Sequence, residues 1–189
     1  MSFYEQNMKA IDERKHYFLK KIEENKDKLE PDNKMVFRTI EAKDNTPVLV
    51  IETEGRSCRM NSAYSPEHEA KRWIKQFDMR NLGIVISMFG LGDGTFVREI
   101  MKRLKEEEVL PLYEPSPQLF RYVMEHYDIT DILTSERVSV TVEGINDNEI
   151  KNLLSNHVDT AKLHSQIICH HPHYDVLFPE SCRHFHKIV

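Results

Sequence analysis

Ile84-Val85-Ile86-Ser87-Met88-Phe89-Gly90-Leu91-Gly92-Asp93-Gly94 runs directly into a helix-patterned segment, Thr95 to Leu104. Gly90, Gly92 and Gly94 are three of the chain's six glycines, gathered within five residues. Each carries about 0.5–1 kcal/mol of extra chain entropy relative to alanine in regular structure. Clustering them implies that side chains are excluded there, because the backbone turns sharply or something presses on it. An apolar strand, a glycine turn and a helix start together present backbone N–H groups to an anionic ligand. The same turn also serves simply to pack a strand on a helix, and the spacing alone leaves both readings open.

Working outward, apolar runs alternate with helical patterns. Val109 to Tyr113 reads as a second strand, although Pro111 conflicts with it, since proline withholds a ladder donor and belongs at an edge. Ser116-Pro117 opens a helix whose core face is Leu119, Phe120, Val123, Met124 and Tyr127. Val138, Val140 and Val142 alternate with polar residues as a third strand. Asp147 to Val158 reads as helix, Ile167-Ile168-Cys169 as a fourth strand, and Pro179 to Val189 as a last helix. Strands alternating with helices predict an α/β, Rossmann-like, methyltransferase-like fold with a mostly parallel sheet.

The first third differs. Tyr4, Met8, Ile11, Phe18, Ile22 and Leu29 follow a 3-4 spacing that predicts one helix over residues 2–30, interrupted in pattern at Lys15 and Asn25 and ended by Pro31. Met35 to Ile40, Val48 to Thr53 and Arg56 to Met60 read as a small β-meander, with turns at 43–47 and Glu54-Gly55. Ser65-Pro66 starts a helix with serine as N-cap, burying Ala70, Trp73, Ile74 and Phe77 and stopping near Asn81-Leu82-Gly83. The expected division is residues 1–62 as helix plus meander and 63–189 as the Rossmann-like unit, itself expected to be a piece of a longer protein.

With 30% charged residues and a net charge of −5, the chain does not read as a nucleic-acid-binding module. The apolar stretch Leu82 to Gly92 is too short to span a bilayer, and the polar N-terminus does not read as a secretory signal. Cys58, Cys169 and Cys182 are odd in number and far apart, which fits a reduced, cytoplasmic setting. Neither nucleic acid nor membrane is an expected partner.

Glu114 ends the second strand, 20 residues past Gly94. An acid at that place in nucleotide-binding units accepts hydrogen bonds from ribose hydroxyls. Gly90, Gly92, Asp93, Gly94 and Glu114 are therefore the candidate cofactor-binding residues, and a nucleotide-type small molecule is the candidate ligand. Asp93 also reads as the cap of the following helix, and Glu143 as a group that bonds a base or marks the strand's exit. Seven of ten histidines lie from His157 onward, including His170-His171-Pro172-His173. Adjacent histidines on an extended chain point to opposite faces. Without C-x-x-C or H-x-x-x-H spacing beside them, no metal site is predicted. No G-x-S-x-G elbow, P-loop or H-E-x-x-H is present, so no catalytic residue is named. The G-x-G-x-G spacing resembles the first motif of S-adenosylmethionine-dependent methyltransferases. Those often have an acid where Met88 stands, and their motif after the fourth strand matches His170 to Tyr174 poorly.

Four further segments carry a second resemblance. They are Asn61-Ser62-Ala63-Tyr64-Ser65-Pro66 with Glu69-Ala70, Phe89-Gly90-Leu91-Gly92, Tyr113-Glu114-Pro115-Ser116, and His171-Pro172-His173-Tyr174-Asp175 with Phe178-Pro179-Glu180. In this order, over roughly residues 35–185, they resemble the N-terminal domain of the motility-associated factor family. These are bacterial proteins linked to flagellin glycosylation and related to a 6-hydroxymethylpterin diphosphokinase-like group. The resemblance implies a glycosyltransferase that transfers nonulosonic acid to serine or threonine of flagellin. Its catalytic region would lie downstream, leaving this chain as an accessory Rossmann-like portion. Flagellin and that downstream domain are then the implied partners, and a nucleotide-sugar the implied ligand. Asp93-Gly94 departs from the plain family turn. Two other readings stand beside this one: a small-molecule methyltransferase using S-adenosylmethionine, and an interaction module that dimerises through the N-terminal helix.

Overall fold

The computed structural model describes residues 1–32, 34–79, 85–157 and 166–189. Expectations that fall on Asn81-Leu82-Gly83, on Ile84 and on Val158 lie outside the described residues.

The N-terminal stretch is not one helix. It breaks at the two positions where the apolar spacing lapses. Helix α1 (Phe3–Arg14) starts at a Ser2 capping box, and α2 (His16–Glu24) follows a kink at Lys15 with φ −137° and ψ 53°. The Lys15 ammonium at this kink donates to the Val138 carbonyl at 2.6 Å. After Asn25 a short 3-10 turn, Lys26–Leu29, completes the segment.

Strands β1 (Val36–Glu41), β2 (Pro47–Thr53) and β3 (Arg56–Arg59) form the expected antiparallel meander in the order β1-β2-β3. Helix α3 (Pro66–Trp73) buries Ala70 and passes into a 3-10 turn. Ser65 occupies its N-cap position, but its hydroxyl makes no cap bond. That hydroxyl bonds Asp44 instead and holds the Asp44 carboxyl below its usual range.

The second half is a parallel sheet. Strands β4 (Val85–Phe89), β5 (Leu110–Glu114), β6 (Val138–Val142) and β7 (Gln166–His170) lie in the order β6-β5-β4-β7, all parallel. The connections are helical: α4 (Thr95–Met101), then α5 (Pro117–His126) with α6 (Thr130–Thr134), then α7 (Asn148–His157). Two helices close the chain, α8 (Tyr174–Leu177) and α9 (Pro179–Ile188). Counted along the core, the strand order is 3-2-1-4, which matches the first four strands of the Rossmann order 3-2-1-4-5-6. The inner strands are buried on both faces, and β5 has all five residues buried.

Pro111 therefore sits in an interior strand rather than at an edge. The sheet absorbs it on one side. β5 pairs with β6 over its full length, whereas its ladder with β4 is confined to Met88 with Leu112 and Phe89 with Tyr113, beyond the proline. The missing donor thus shortens one ladder instead of breaking two.

α1 packs across the division drawn at residue 62, against α5 and α6. Fully buried Asn7 makes the join. Its amide donates to the carbonyls of Met124 (3.0 Å) and Tyr127 (2.8 Å) and accepts from the Ile129 amide (3.1 Å). It thereby satisfies the orphan groups at the end of α5. Asn7→Ala is expected to lower stability by about 2–3 kcal/mol, because it strands buried backbone groups. Urea unfolding of the variant checks this. Among the described residues, no helix is long and apolar enough to cross a membrane.

Candidate functional site

The chain leaves β4, builds outward through β5 to β6, then returns to β7 on β4's other flank. Open α/β sheets place ligands at such a reversal, outside the carboxyl ends of the strands. Two segments meet there: the glycine turn after β4, and residues 171–174 after β7.

Gly90, Gly92, Asp93, Gly94 and Glu114 do converge at this point. The space over them that a nucleotide would need is filled by the chain's own side chains. Gly90 has φ +96°, and a Cβ on it would lie 2.6–2.7 Å from the Tyr174 ring. Gly92 has φ +55°, and its Cβ would lie 2.7 Å from His171 Nε2. At Gly94 a Cβ would meet Ile132 Cδ1 at 2.7 Å. Tyr174, His171 and Ile132 are all fully buried. The glycines are thus bare where three packed side chains press on the backbone.

The polar groups are engaged as well. Gly90 N–H donates to the Tyr113 carbonyl (2.8 Å), and Leu91 N–H donates to Glu114 Oε2 (2.9 Å). The Tyr174 hydroxyl accepts from Gly92 N–H (2.9 Å) and donates to Glu114 Oε2 (2.8 Å). Glu114 Oε1 accepts from Ser116 N–H (3.0 Å). A phenol therefore takes the donor's place that a ribose hydroxyl would take on this carboxylate. Burial pushes the Glu114 carboxyl up to about 7, against the pull of the Leu91 and Ser116 amides and the Tyr174 hydroxyl. Burial and the neighbouring Glu114 push the Tyr174 phenol up, so it remains a neutral donor.

Asp93 acts within the turn. Its Oδ1 accepts from Thr95 N–H at 2.9 Å, one of the free amides that open α4. Burial raises its carboxyl, and the Thr95 bond works the other way. Glu143 sits beyond the end of β6, where its N–H donates to the Glu114 carbonyl at 2.9 Å. That bond continues the ladder with β5.

His171 is the least expected member. It is fully buried, with its ring 4.8 Å from those of Phe96 and Tyr174, and neither ring nitrogen has a hydrogen-bond partner among the described residues. Burial, with His173 nearby, pushes its pKa down to about 3, so the ring is neutral and works as an apolar wedge.

On the other side of the same segment lies a set of metal-type donors. His170, Cys182 and His186 offer donor atoms that all lie within 4.8 Å of one another. Asp175 is beside them, its Oδ1 2.5 Å from His170 Nδ1. Of the three, His170 belongs to the His170-His171-Pro172-His173 run, and His186 lies further along the same histidine-rich end. The spacing Cys182-x-x-x-His186 was readable as an i, i+4 pair on one helix face. It is neither of the two spacings sought beside those histidines.

No protein family matches the sequence, and no curated protein does. Among solved structures, the crystal structure of MnmC2 from Aquifex aeolicus is similar, at 16% sequence identity and a TM-score of 0.36. The likeness covers 72% of this chain and 49% of that one, so the chain spans about half the length of that protein.

Proposed function

We propose that this chain is a non-catalytic, Rossmann-like accessory portion of a bacterial flagellin-modifying glycosyltransferase, and that its glycine turn is a packed junction rather than a nucleotide seat. The bridge made by the Tyr174 hydroxyl between Gly92 N–H and Glu114 carries the second half of this reading. The amide and the carboxylate that would hold a nucleotide are already paired with each other through that phenol. The ordered segments from Asn61-Ser62-Ala63-Tyr64-Ser65-Pro66 to Phe178-Pro179-Glu180 support the first half. Transfer of nonulosonic acid to flagellin would then need the downstream region.

A second reading rests on the strand order and on Glu114 at the tip of β5, both of which suit an S-adenosylmethionine-dependent methyltransferase. It requires Tyr174 and His171 to leave the turn. Thermal unfolding separates the two. A ligand present at about 100 times its dissociation constant stabilises by roughly 2.7 kcal/mol, or about 5–10 °C for a chain this long. The expected result is a flat response to S-adenosylmethionine and to nucleotide-activated nonulosonic acid. A shift of that size with S-adenosylmethionine would replace the accessory reading with the methyltransferase one. Incubation with flagellin and the activated sugar is expected to leave flagellin unmodified, and turnover by this chain alone would overturn the proposal.

A further inference from the structure

We propose that His170, Cys182 and His186 bind a single zinc-type divalent cation, with Asp175 as the nearest fourth donor. This stands whether or not the accessory reading above is right.

The three donors come from two elements that the core holds in register. His170 is the last residue of β7, which pairs with β4 through Phe89 and His170. Cys182 and His186 lie one turn apart on the ten-residue helix α9. Phe185, fully buried between them in sequence, packs its ring 5.3 Å from Phe89 and 5.5 Å from Tyr113. That anchor fixes the rotation of α9, so both donors are presented to the strand end. The Cys182 sulfur is 3.9 Å from His170 Nδ1 and 3.6 Å from Asp175 Oδ1. In tetrahedral zinc sites, bonds of about 2.0–2.3 Å put neighbouring donors roughly 3.3–3.7 Å apart. The Cys182–Asp175 distance already falls within that range, and the Cys182–His170 distance lies just above it. Two imidazoles and a thiolate are nitrogen and sulfur ligands, which suit zinc and exclude magnesium or calcium.

The location gives the site a consequence. Residues 170–175 are two-sided: alternation turns His170 and His171 to opposite faces at the strand end, and the turn into α8 sets Tyr174 on one side and Asp175 on the other. His171 and Tyr174 face the glycine turn, whereas His170 and Asp175 face α9. A cation bound to the second pair therefore clamps the segment whose other face fills the crevice.

Cobalt(II) replaces zinc as a visible probe. The full chain, stripped with a chelator and titrated with cobalt(II), is expected to take up one equivalent and to show a near-ultraviolet thiolate-to-cobalt charge-transfer band that added zinc abolishes. Cys182→Ser is expected to remove the band, and Cys58→Ser to leave it unchanged. His186→Ala, at an exposed position, and Asp175→Asn are each expected to weaken zinc binding by about tenfold or more in competition with a chromogenic chelator. Zinc alone is expected to raise the melting temperature of the native chain and not of Cys182→Ser. No charge-transfer band in the native chain, or a band that survives in Cys182→Ser, would overturn the site. Far-ultraviolet circular dichroism confirms that each variant is folded. If Cys182→Ser fails that check, unchanged zinc affinity in His186→Ala decides against the proposal.

Discussion

Gly90→Ala is expected to destabilise the chain by about 3 kcal/mol or more, and Gly55→Ala by only about 1 kcal/mol. Both glycines have left-handed backbones, at φ +96° and +73°, so both alanines carry conformational strain. The difference is in what surrounds them. A Cβ at Gly55 meets nothing within 4 Å, whereas at Gly90 it runs into the Tyr174 ring at 2.6–2.7 Å. The ring is fully buried and hydrogen-bonded at its far end, so it has no cheap way to move. Overpacking of this kind adds about 1–3 kcal/mol to the backbone strain. Urea unfolding of the two variants measures the contrast. A cycle with Tyr174→Ala sharpens it, because the double variant should be less damaged than the sum of the singles. Equal, mild losses at Gly55 and Gly90 would mean that Tyr174 is not seated on the turn, and the packed-junction reading would fail with it.

Much of the framework was legible because its signals are local. Val138, Val140 and Val142 alternate, Ser116 accepts from Leu119 N–H as a cap should, and each glycine of the turn falls where a strand gives way to a helix. Lys15 and Asn25 lapse from the helical spacing, and the helix breaks at both, yet the spacing still predicts one helix, because a lapse of one residue is also what a continuous helix shows at its rim. Pro111 was a visible conflict whose resolution depends on how far β4 runs beside β5, a property of register rather than of composition. The occupant of the crevice was not legible at all. Tyr174 reaches Gly92 across 82 positions of sequence, and the alternation rule says only that His170 and His171 face opposite ways, not what each face meets. The same limit hid the metal-type cluster, whose donors lie on a strand end and a helix that come together only in the folded chain.

The second large effect is acid lability carried by His171. Its folded pKa is about 3 against an ordinary 6.5, so below pH 6.5 the unfolded chain takes up a proton that the folded chain refuses. Stability on this account falls steadily as pH drops from 6.5 towards 3, by roughly 1.4 kcal/mol per pH unit and about 3 kcal/mol by pH 4. Glu114 works in the opposite direction. Its folded pKa is about 7 against an ordinary 4.5, so between those values the folded chain holds the extra proton. Its contribution is fully present below pH 4.5 and is lost as pH rises through 7, a span of roughly 3 kcal/mol. The two slopes oppose each other between pH 4.5 and 6.5, and of the two only that of His171 continues below that window. Urea midpoints across pH 3.5–8 for the native chain, His171→Leu and Glu114→Gln separate them, since the ordinary carboxylates are common to all three. His171→Leu is expected to lose the His171 part of the acid decline and so to fall less steeply than the native chain below pH 6.5. Glu114→Gln is expected to begin declining near pH 6.5, because its compensating group is gone. Native and His171→Leu profiles that superimpose would show that the imidazole reaches water and takes up its proton freely. The segment after β7 would then not be closed on the glycine turn, and Gly92 and Glu114 would again be open to a ligand.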